Sequence, residues 1–133
     1  MTKKNVVRVK DVMKPAVDII DGMMTISDAL EKMRHIETKA LIIDKRHEDD
    51  EYGIVLLSDI AKQVLALDRS PDRVNVYEVM SKPAITVDPD MDIRYCARLF
   101  EKFGLSRAPV LENRKVIGII SFTDMVLKGL VSL

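Results

Sequence analysis

Two short stretches concentrate the residues able to do chemistry. Gly53-Ile54-Val55-Leu56-Leu57-Ser58-Asp59 and Gly118-Ile119-Ile120-Ser121-Phe122-Thr123-Asp124 each open on glycine, run through apolar residues and end on a hydroxyl beside a carboxylate. Ser, Thr and Asp at such a boundary suit the start of a helix, where side-chain oxygens accept free backbone N–H groups. Capping explains the side chains but leaves the glycine spacing open. A third cluster, His47-Glu48-Asp49-Asp50-Glu51, has carboxylates that suit a hard cation such as magnesium. It falls where a hairpin should turn, and we read it as a solvated acidic loop. His35 has no Cys or His at ligand spacing, and Cys96 sits at an apolar helical position, where a cysteine packs as a small hydrophobe. The eight methionines, Met13, Met33, Met80 and Met125 among them, fall mostly at positions that read as packing. The sequence carries no Ser-His-Asp or Cys-His constellation, no P-loop lysine and no zinc motif. We assign no catalytic residue and no resident metal.

The elements that must position these residues occur twice. Val9-Lys10-Asp11-Val12-Met13-Lys14-Pro15 is echoed by Val76-Tyr77-Glu78-Val79-Met80-Ser81-Lys82-Pro83, with one residue inserted before the proline. The apolar set Ile26, Ala29, Leu30, Met33, Ile36 returns as Ile93, Cys96, Ala97, Phe100, Phe103, and the glycine-led runs follow in both copies. Such self-similarity marks a repeat architecture. Each copy predicts a short strand (17–20; 84–87), then an amphipathic helix capped by Thr25 or Asp90. Two apolar strands follow (40–44 and 53–57; 108–111 and 115–120), then a second helix from Ser58 or Thr123. The unit is β-α-β-β-α. Residues 1–67 form the first repeat with its N-terminal lead-in, 68–75 the linker with Pro71 as a helix stop, and 76–133 the second repeat. A unit of about 60 residues is marginal alone, so the two copies are expected to pack sheet to sheet with pseudo-twofold symmetry in one α/β (α+β) globule.

Composition narrows the class. Lys plus Arg and Asp plus Glu both number 21 among 133 residues, and three Phe, three Tyr and no Trp leave few stacking platforms. Nucleic acid is therefore disfavoured as a partner. No apolar run approaches the roughly 20 residues of a membrane span, and the start has no signal-peptide run. One cysteine suits a reducing compartment. The expectation is a cytoplasmic protein without nucleic-acid or membrane partners.

The order Val-Met-x-Pro, amphipathic helix, small-apolar strand and Gly-Ile-Val/Ile-x-x-Ser/Thr-Asp, repeated over residues 9–131, resembles the cystathionine β-synthase (CBS) domain, which occurs as tandem pairs called Bateman modules. The resemblance implies a regulatory module without catalysis that binds an adenosine-containing nucleotide: AMP, ADP or ATP, and with less support S-adenosylmethionine or NAD, with magnesium as a companion of the nucleotide. The family signature is Gly, two apolar residues, Ser or Thr, two further residues and Asp. Its carboxylate accepts the ribose hydroxyls, while hydroxyl and helix N–H groups receive phosphate. Gly118, Ile119, Ser121, Thr123 and Asp124 carry it whole; Ile54, Ser58 and Asp59 follow Gly53 with Leu56 in the hydroxyl position. By the family's crosswise rule Asp124 works with Met13, Asp18, Thr38, Lys39, Ala40 and Leu41. Asp59 works with Met80, Ile85, Ser106, Arg107, Ala108 and Pro109. Asp18 is expected to repel phosphate and Arg107 to attract it, which leaves Asp124 narrowly favoured. The resemblance further implies a homodimer and an effector protein that the sequence does not name. The alternative is a ligand-free scaffold for dimerisation or docking.

Overall fold

The computed structural model describes residues 5–133; the first four residues of the N-terminal lead-in lie outside the described residues. In chain order the elements are α1 (Val9–Val12), β1 (Ile19–Ile20), α2 (Ile26–Lys32), β2 (Ala40–Ile43), β3 (Gly53–Leu56), α3 (Leu57–Ile60), α4 (Ile93–Phe103), β4 (Arg107–Glu112), β5 (Lys115–Ser121) and α5 (Phe122–Asp124). Short 3-10 turns cover Ile36–Thr38 and Val76–Glu78. Both hairpins feed a helix that opens as one α turn and widens to π geometry, over Ala61–Leu65 after α3 and Met125–Gly129 after α5.

The chain forms two compact units that do not follow its sequence repeats. One contains the described residues up to Ala16 together with Ile85–Leu133, and the other is Val17–Ala84. Each unit therefore joins the Val-Met lead-in of one repeat to the helix and hairpin of the other.

In the Val17–Ala84 unit, β1 pairs parallel with β2, and β2 pairs antiparallel with β3 from Ala40↔Leu56 to Ile43↔Gly53. All four residues of β2 are buried, which is why its sequence is continuously apolar and not alternating. Thr25 caps α2 as expected, its hydroxyl accepting the Asp28 N–H at 3.1 Å. The helix ends at Lys32, earlier than the apolar periodicity predicts, because the buried Asp18 carboxylate takes the N–H groups of Arg34 and His35 at 3.0 and 2.8 Å. Ile36, expected in the core, is consequently 69% exposed. Residues 68–75 run as turns tied to α2: Ser27 N–H donates to Pro71 O and Ile26 N–H to the carbonyl of the buried Val74.

In the other unit β4 and β5 pair antiparallel from Arg107↔Ser121, with an irregularity between Val110 and Leu111. The strand expected at 84–87 shrinks to one parallel bridge, Val87↔Val110. Pro109 supplies the reason. It stands where Ile42 donates its N–H to Asp18 O in the Val17–Ala84 unit, and a proline has no N–H to extend the ladder. Helix α4 starts on Asp92, not Asp90: the Asp92 carboxylate accepts Arg94 N–H at 2.9 Å, while Asp90 binds Lys10 at 2.8 Å. Gly104 closes the helix with φ of 65°, a left-handed position suited to glycine. Val9, Val12, Cys96, Phe100 and Ile120 form the core, with Phe122 edge-on to Phe100 at 5.2 Å. Burial pushes the Cys96 thiol up to about 11, which keeps it protonated and inert. Phe103, predicted to face the core, is 52% exposed at the helix end.

Candidate functional site

The signature glycines lie where two backbones cross, and at Gly118 the crossing requires one. The lead-in passes over β5 so that Lys14 N–H donates to Ile119 O at 2.8 Å and Ile119 N–H returns a bond to Lys14 O at 2.9 Å. A Cβ on Gly118 would stand 2.6 Å from Lys14 O and 2.7 Å from Met13 Sδ, so no larger residue fits without moving the crossing strand. In the second unit Ser81 and Ile54 exchange the same two bonds, both 2.9 Å, beside Gly53. There an added Cβ would meet Met80 Sδ at 3.1 Å and Ser81 O at 3.3 Å.

Three residues beyond each glycine the chain turns into a helix. Ser121 is the N-cap of α5, and its hydroxyl accepts Asp124 N–H at 3.1 Å. The Asp124 carboxylate reaches back to Ser121 N–H at 3.0 Å and to the Ser121 hydroxyl at 2.9 Å. This reciprocal capping box satisfies two orphan helix donors. Together the strand crossing and the box give the whole glycine-hydroxyl-carboxylate spacing a structural cause. The caps differ from the sequence expectation: Thr123 lies inside the first turn and is exposed, and the helices begin at Phe122 and Leu57, one residue before Thr123 and Ser58. In the first copy Leu56 occupies the cap position and brings no side-chain acceptor, so the box is half made. Asp59 accepts Leu56 N–H at 2.9 Å.

The two aspartates sit in opposite electrostatic settings. Asp124 is 2% exposed. Its second oxygen is held by the Lys14 ammonium, with Lys128 at 3.4 Å one helical turn on. Burial favours the protonated Asp124 carboxyl, but the hydrogen bonds from Lys14 and Ser121 outweigh it and hold the group below its usual range. Arg107, on the β4 residue paired with Ser121, is destabilised as a cation by burial and partly restored by Asp124. Its Nε is buried with no hydrogen-bond partner among the described residues. Asp59 is partly exposed, and among the described residues no cation pairs with it. The lysine of its lead-in, Lys82, binds Asp50 at 2.7 Å instead. Asp50 also accepts Arg46 N–H at 2.9 Å, and these donors, Lys82 foremost, hold it far below the usual carboxylate range. The 47–51 loop is thus not uniformly solvated as its composition suggested, because Asp50 is a half-buried anchor. Among the described residues no group of three or more His, Cys, Asp and Glu is placed to hold a metal ion.

Ladder register corrects the alignment of the two copies. Ala40 pairs with Leu56 and Arg107 with Ser121, so Lys39–Ile42 correspond to Ser106–Pro109, one residue from the match of Thr38–Leu41 made on sequence. By the same register Lys14 corresponds to Ser81, Arg107 to Ala40, and Lys128 to Gln63. All three cations around Asp124 are uncharged in the other copy.

The sequence-predicted site residues divide between the units. Asp124 shares its unit with Met13, Ile85, Ser106, Arg107, Ala108, Pro109, Gly118, Ile119, Ser121 and Thr123; Asp59 shares its own with Asp18, Thr38, Lys39, Ala40, Ile54, Ser58 and Met80. Both oxygens of Asp18 are engaged by backbone, and the Thr38 hydroxyl is buried against His35 O at 2.8 Å, so these two work as local fasteners. Lys39 is exposed with φ of 57°. Lys14 and Lys128 were missed on sequence. Lys128 was legible as an i,i+4 partner of Asp124; Lys14, 110 positions away, was not. The Val17–Ala84 unit also has a cleft of about 420 Å³ with Gly22, Ile43, Tyr77 and Met80 as its apolar walls and Asp44, Arg46 and Lys82 as its charged ones.

The sequence model of the CBS domain matches residues 9–66 and again 76–130. An uncharacterised protein of Methanopyrus kandleri is 32% identical over 112 residues, covering 81% of this chain and 56% of its own length, so the chain spans about half of that curated relative. Among solved structures, a hexameric CBS-CP12 protein from bloom-forming cyanobacteria superposes with a TM-score of 0.89 at 38% identity, covering 93% of this chain and 72% of the other. The CBS domain pair of protein MJ0100, solved in complex with 5′-methylthioadenosine and S-adenosyl-L-methionine, superposes with a TM-score of 0.74 at 26% identity, covering 91% and 94%. With the family pattern matched in both copies and the fold shared with solved pairs, the chain belongs to the CBS domain family as a tandem CBS pair.

Proposed function

We propose that this CBS pair is a non-catalytic regulatory module that binds adenosine-containing ligands at Asp59 and Asp124. The observation that carries the reading is the Asp59 carboxylate: it stands at a helix start, accepts one hydrogen bond from Leu56 N–H, and keeps its remaining acceptor sites for the paired hydroxyls of a ribose. A related pair of the same fold was solved with two adenosyl ligands, which supports that ligand class. We rank Asp59 ahead of Asp124, against the narrow preference drawn from sequence, because the Asp124 carboxylate is already engaged by Lys14 and Ser121. The proposed setting is cytoplasmic; among the described residues no helix is long and apolar enough to cross a membrane.

A thermal-shift panel of AMP, ADP, ATP, S-adenosylmethionine, methylthioadenosine and NAD, with and without magnesium, tests this reading. A ligand with affinity near 10 μM present at about 1 mM adds about 2.7 kcal/mol, several degrees for a domain of this size. The shift is expected to fall in Asp59→Ala and to vanish in the double variant with Asp124→Ala. No shift with any ligand would refute the proposal.

A second reading has its own support. The signature is fully explained by strand crossing and helix capping, and large apolar residues stand exposed in each unit: Leu127, Leu130 and Val131 in one, Leu65 and Leu67 in the other. A self-associating or protein-docking scaffold would use such residues, and the cyanobacterial relative is described as hexameric. Sedimentation at micromolar concentration decides: the scaffold reading requires an oligomer indifferent to nucleotides, and a pure monomer refutes it.

A further inference from the structure

We infer that Lys14 is an internal latch on Asp124, released by a phosphorylated adenosine ligand, so that this unit selects nucleotides over uncharged nucleosides. The inference rests on the nucleotide reading above and adds a gate to one of its two aspartates.

Both Asp124 oxygens are in use, one by the Ser121 hydroxyl and N–H and the other by the Lys14 ammonium. Ribose hydroxyls can bind there only by displacing Lys14, whose side chain is 25% exposed and would be left with a partly buried, unpaired charge. An uncharged nucleoside supplies nothing to compensate it. A phosphate does, because the displaced ammonium can follow it. Two further cations lie in the same unit: Arg107, with its buried unpartnered Nε, and Lys128, 3.4 Å from Asp124. Once ribose holds the carboxylate, Lys14 and Lys128 have no second carboxylate paired with them among the described residues, and a phosphate is the group that meets all three cations.

The pair is not needed to build the crossing. In the other unit Ser81 takes the place of Lys14 and exchanges the same two backbone bonds with Ile54, each 2.9 Å, with no ion pair to Asp59 among the described residues. That unit is the unlatched version of the same design, with Ser81, Ala40 and Gln63 at the three cation positions.

Calorimetry with AMP and adenosine tests the latch in an Asp59→Asn background, which leaves Asp124 to report alone. The comparison is between that protein and the same protein carrying Lys14→Ser, which borrows the residue of the unlatched copy and keeps the backbone bridge. The latched protein is expected to prefer AMP to adenosine. Lys14→Ser is expected to gain about tenfold in adenosine affinity, equivalent to about 1.4 kcal/mol, and to lose most of that preference. An AMP-to-adenosine ratio unchanged by Lys14→Ser overturns the latch and leaves nucleotide binding standing. Absence of binding by AMP and adenosine to any variant overturns the latch, and the underlying reading falls with it only if the thermal-shift panel is blank for every ligand as well. A ligand-free measurement decides independently: acetylation of Lys14 is expected to run about tenfold slower than that of exposed Lys39 and to speed up in Asp124→Asn. Equal rates for both lysines in the unmodified protein overturn the latch.

Discussion

The Asp124 and Asp59 units share the same backbone bonds at the lead-in crossing, the same ladder register beside it and the same aspartate in the first helical turn. They differ in where one lysine goes. In the first lead-in lysine directly follows Met13, on the residue that bridges Ile119, and its side chain reaches the signature carboxylate. In the second lead-in an inserted Ser81 takes the bridge, and the lysine falls one residue later. Lys82 thus lies beyond the bridge, where its ammonium pairs with Asp50 in the hairpin. A one-residue insertion therefore moves a cation from the candidate site to the scaffold while the crossing itself is unchanged. Near-identical folds can thus hold electrostatically unlike carboxylates.

The most forceful way to break this comparison is at the glycines. Gly118→Ala puts a methyl 2.6 Å from the backbone carbonyl of Lys14, which cannot yield without parting the crossing strands. We expect a loss of about 3 kcal/mol, in the range for overpacked sites. Gly53→Ala meets the flexible Met80 thioether at 3.1 Å, with Ile43 Cβ and Ser81 O both at 3.3 Å, and is expected to cost only about 1 kcal/mol. Urea unfolding of the two variants measures both. Equal costs would show that the crossings are not asymmetric in the way the contacts indicate.

Next come the aspartates. Asp124→Ala removes half of a capping box and leaves Lys14 without its partly buried partner, and about 2–3 kcal/mol should be lost. Asp59→Ala removes one bond to Leu56 N–H and is expected to cost about 1 kcal/mol or less. Thermal melts separate the two by several degrees. A smaller effect sharpens the same contrast at the caps. Ser121→Ala should cost about 1 kcal/mol, whereas Leu56→Ser, which completes the missing half of the first copy's box, should recover part of that amount against the apolar burial it gives up.

Much of the fold was legible because repetition doubles every signal. Hairpin strands, the Thr25 cap and the order of elements all followed from apolar runs and turn residues met twice. Three of the misses share one cause, a residue distant in sequence that overrode a local preference. Asp18 stopped α2 before its apolar periodicity ran out. Lys10 claimed Asp90 and left the cap to Asp92. Pro109 withheld the N–H that a longer parallel pairing needed. At the candidate site the sequence located both carboxylates but could not reveal that Lys14 satisfies one of them; that each lead-in packs with the other repeat's hairpin followed only from the family's crosswise rule, which set Met13 with Asp124 and Met80 with Asp59. Lead-in and hairpin are joined by tertiary structure alone, and no local spacing encodes that.

The gentlest probe of the asymmetry is acid. Asp124 in one unit and Asp50 in the other each hold a lead-in lysine, and both carboxyls titrate below their usual range. The unfolded chain, with ordinary carboxylates near pH 4, binds protons first as pH falls. The stabilisation is therefore complete above that value and lost as pH drops through the lower folded-state values. Asp124→Asn should start less stable than the unmodified protein at pH 7 and converge with it toward pH 3, and Asp50→Asn should do the same. The lysines assign the effect to its unit: Lys14→Met should flatten the acid limb that Asp124 contributes, and Lys82→Met the one that Asp50 contributes. If Lys82→Met also removed the Asp124 contribution, the two lysines would not be serving separate carboxylates, and the insertion of Ser81 would no longer explain why the sites differ.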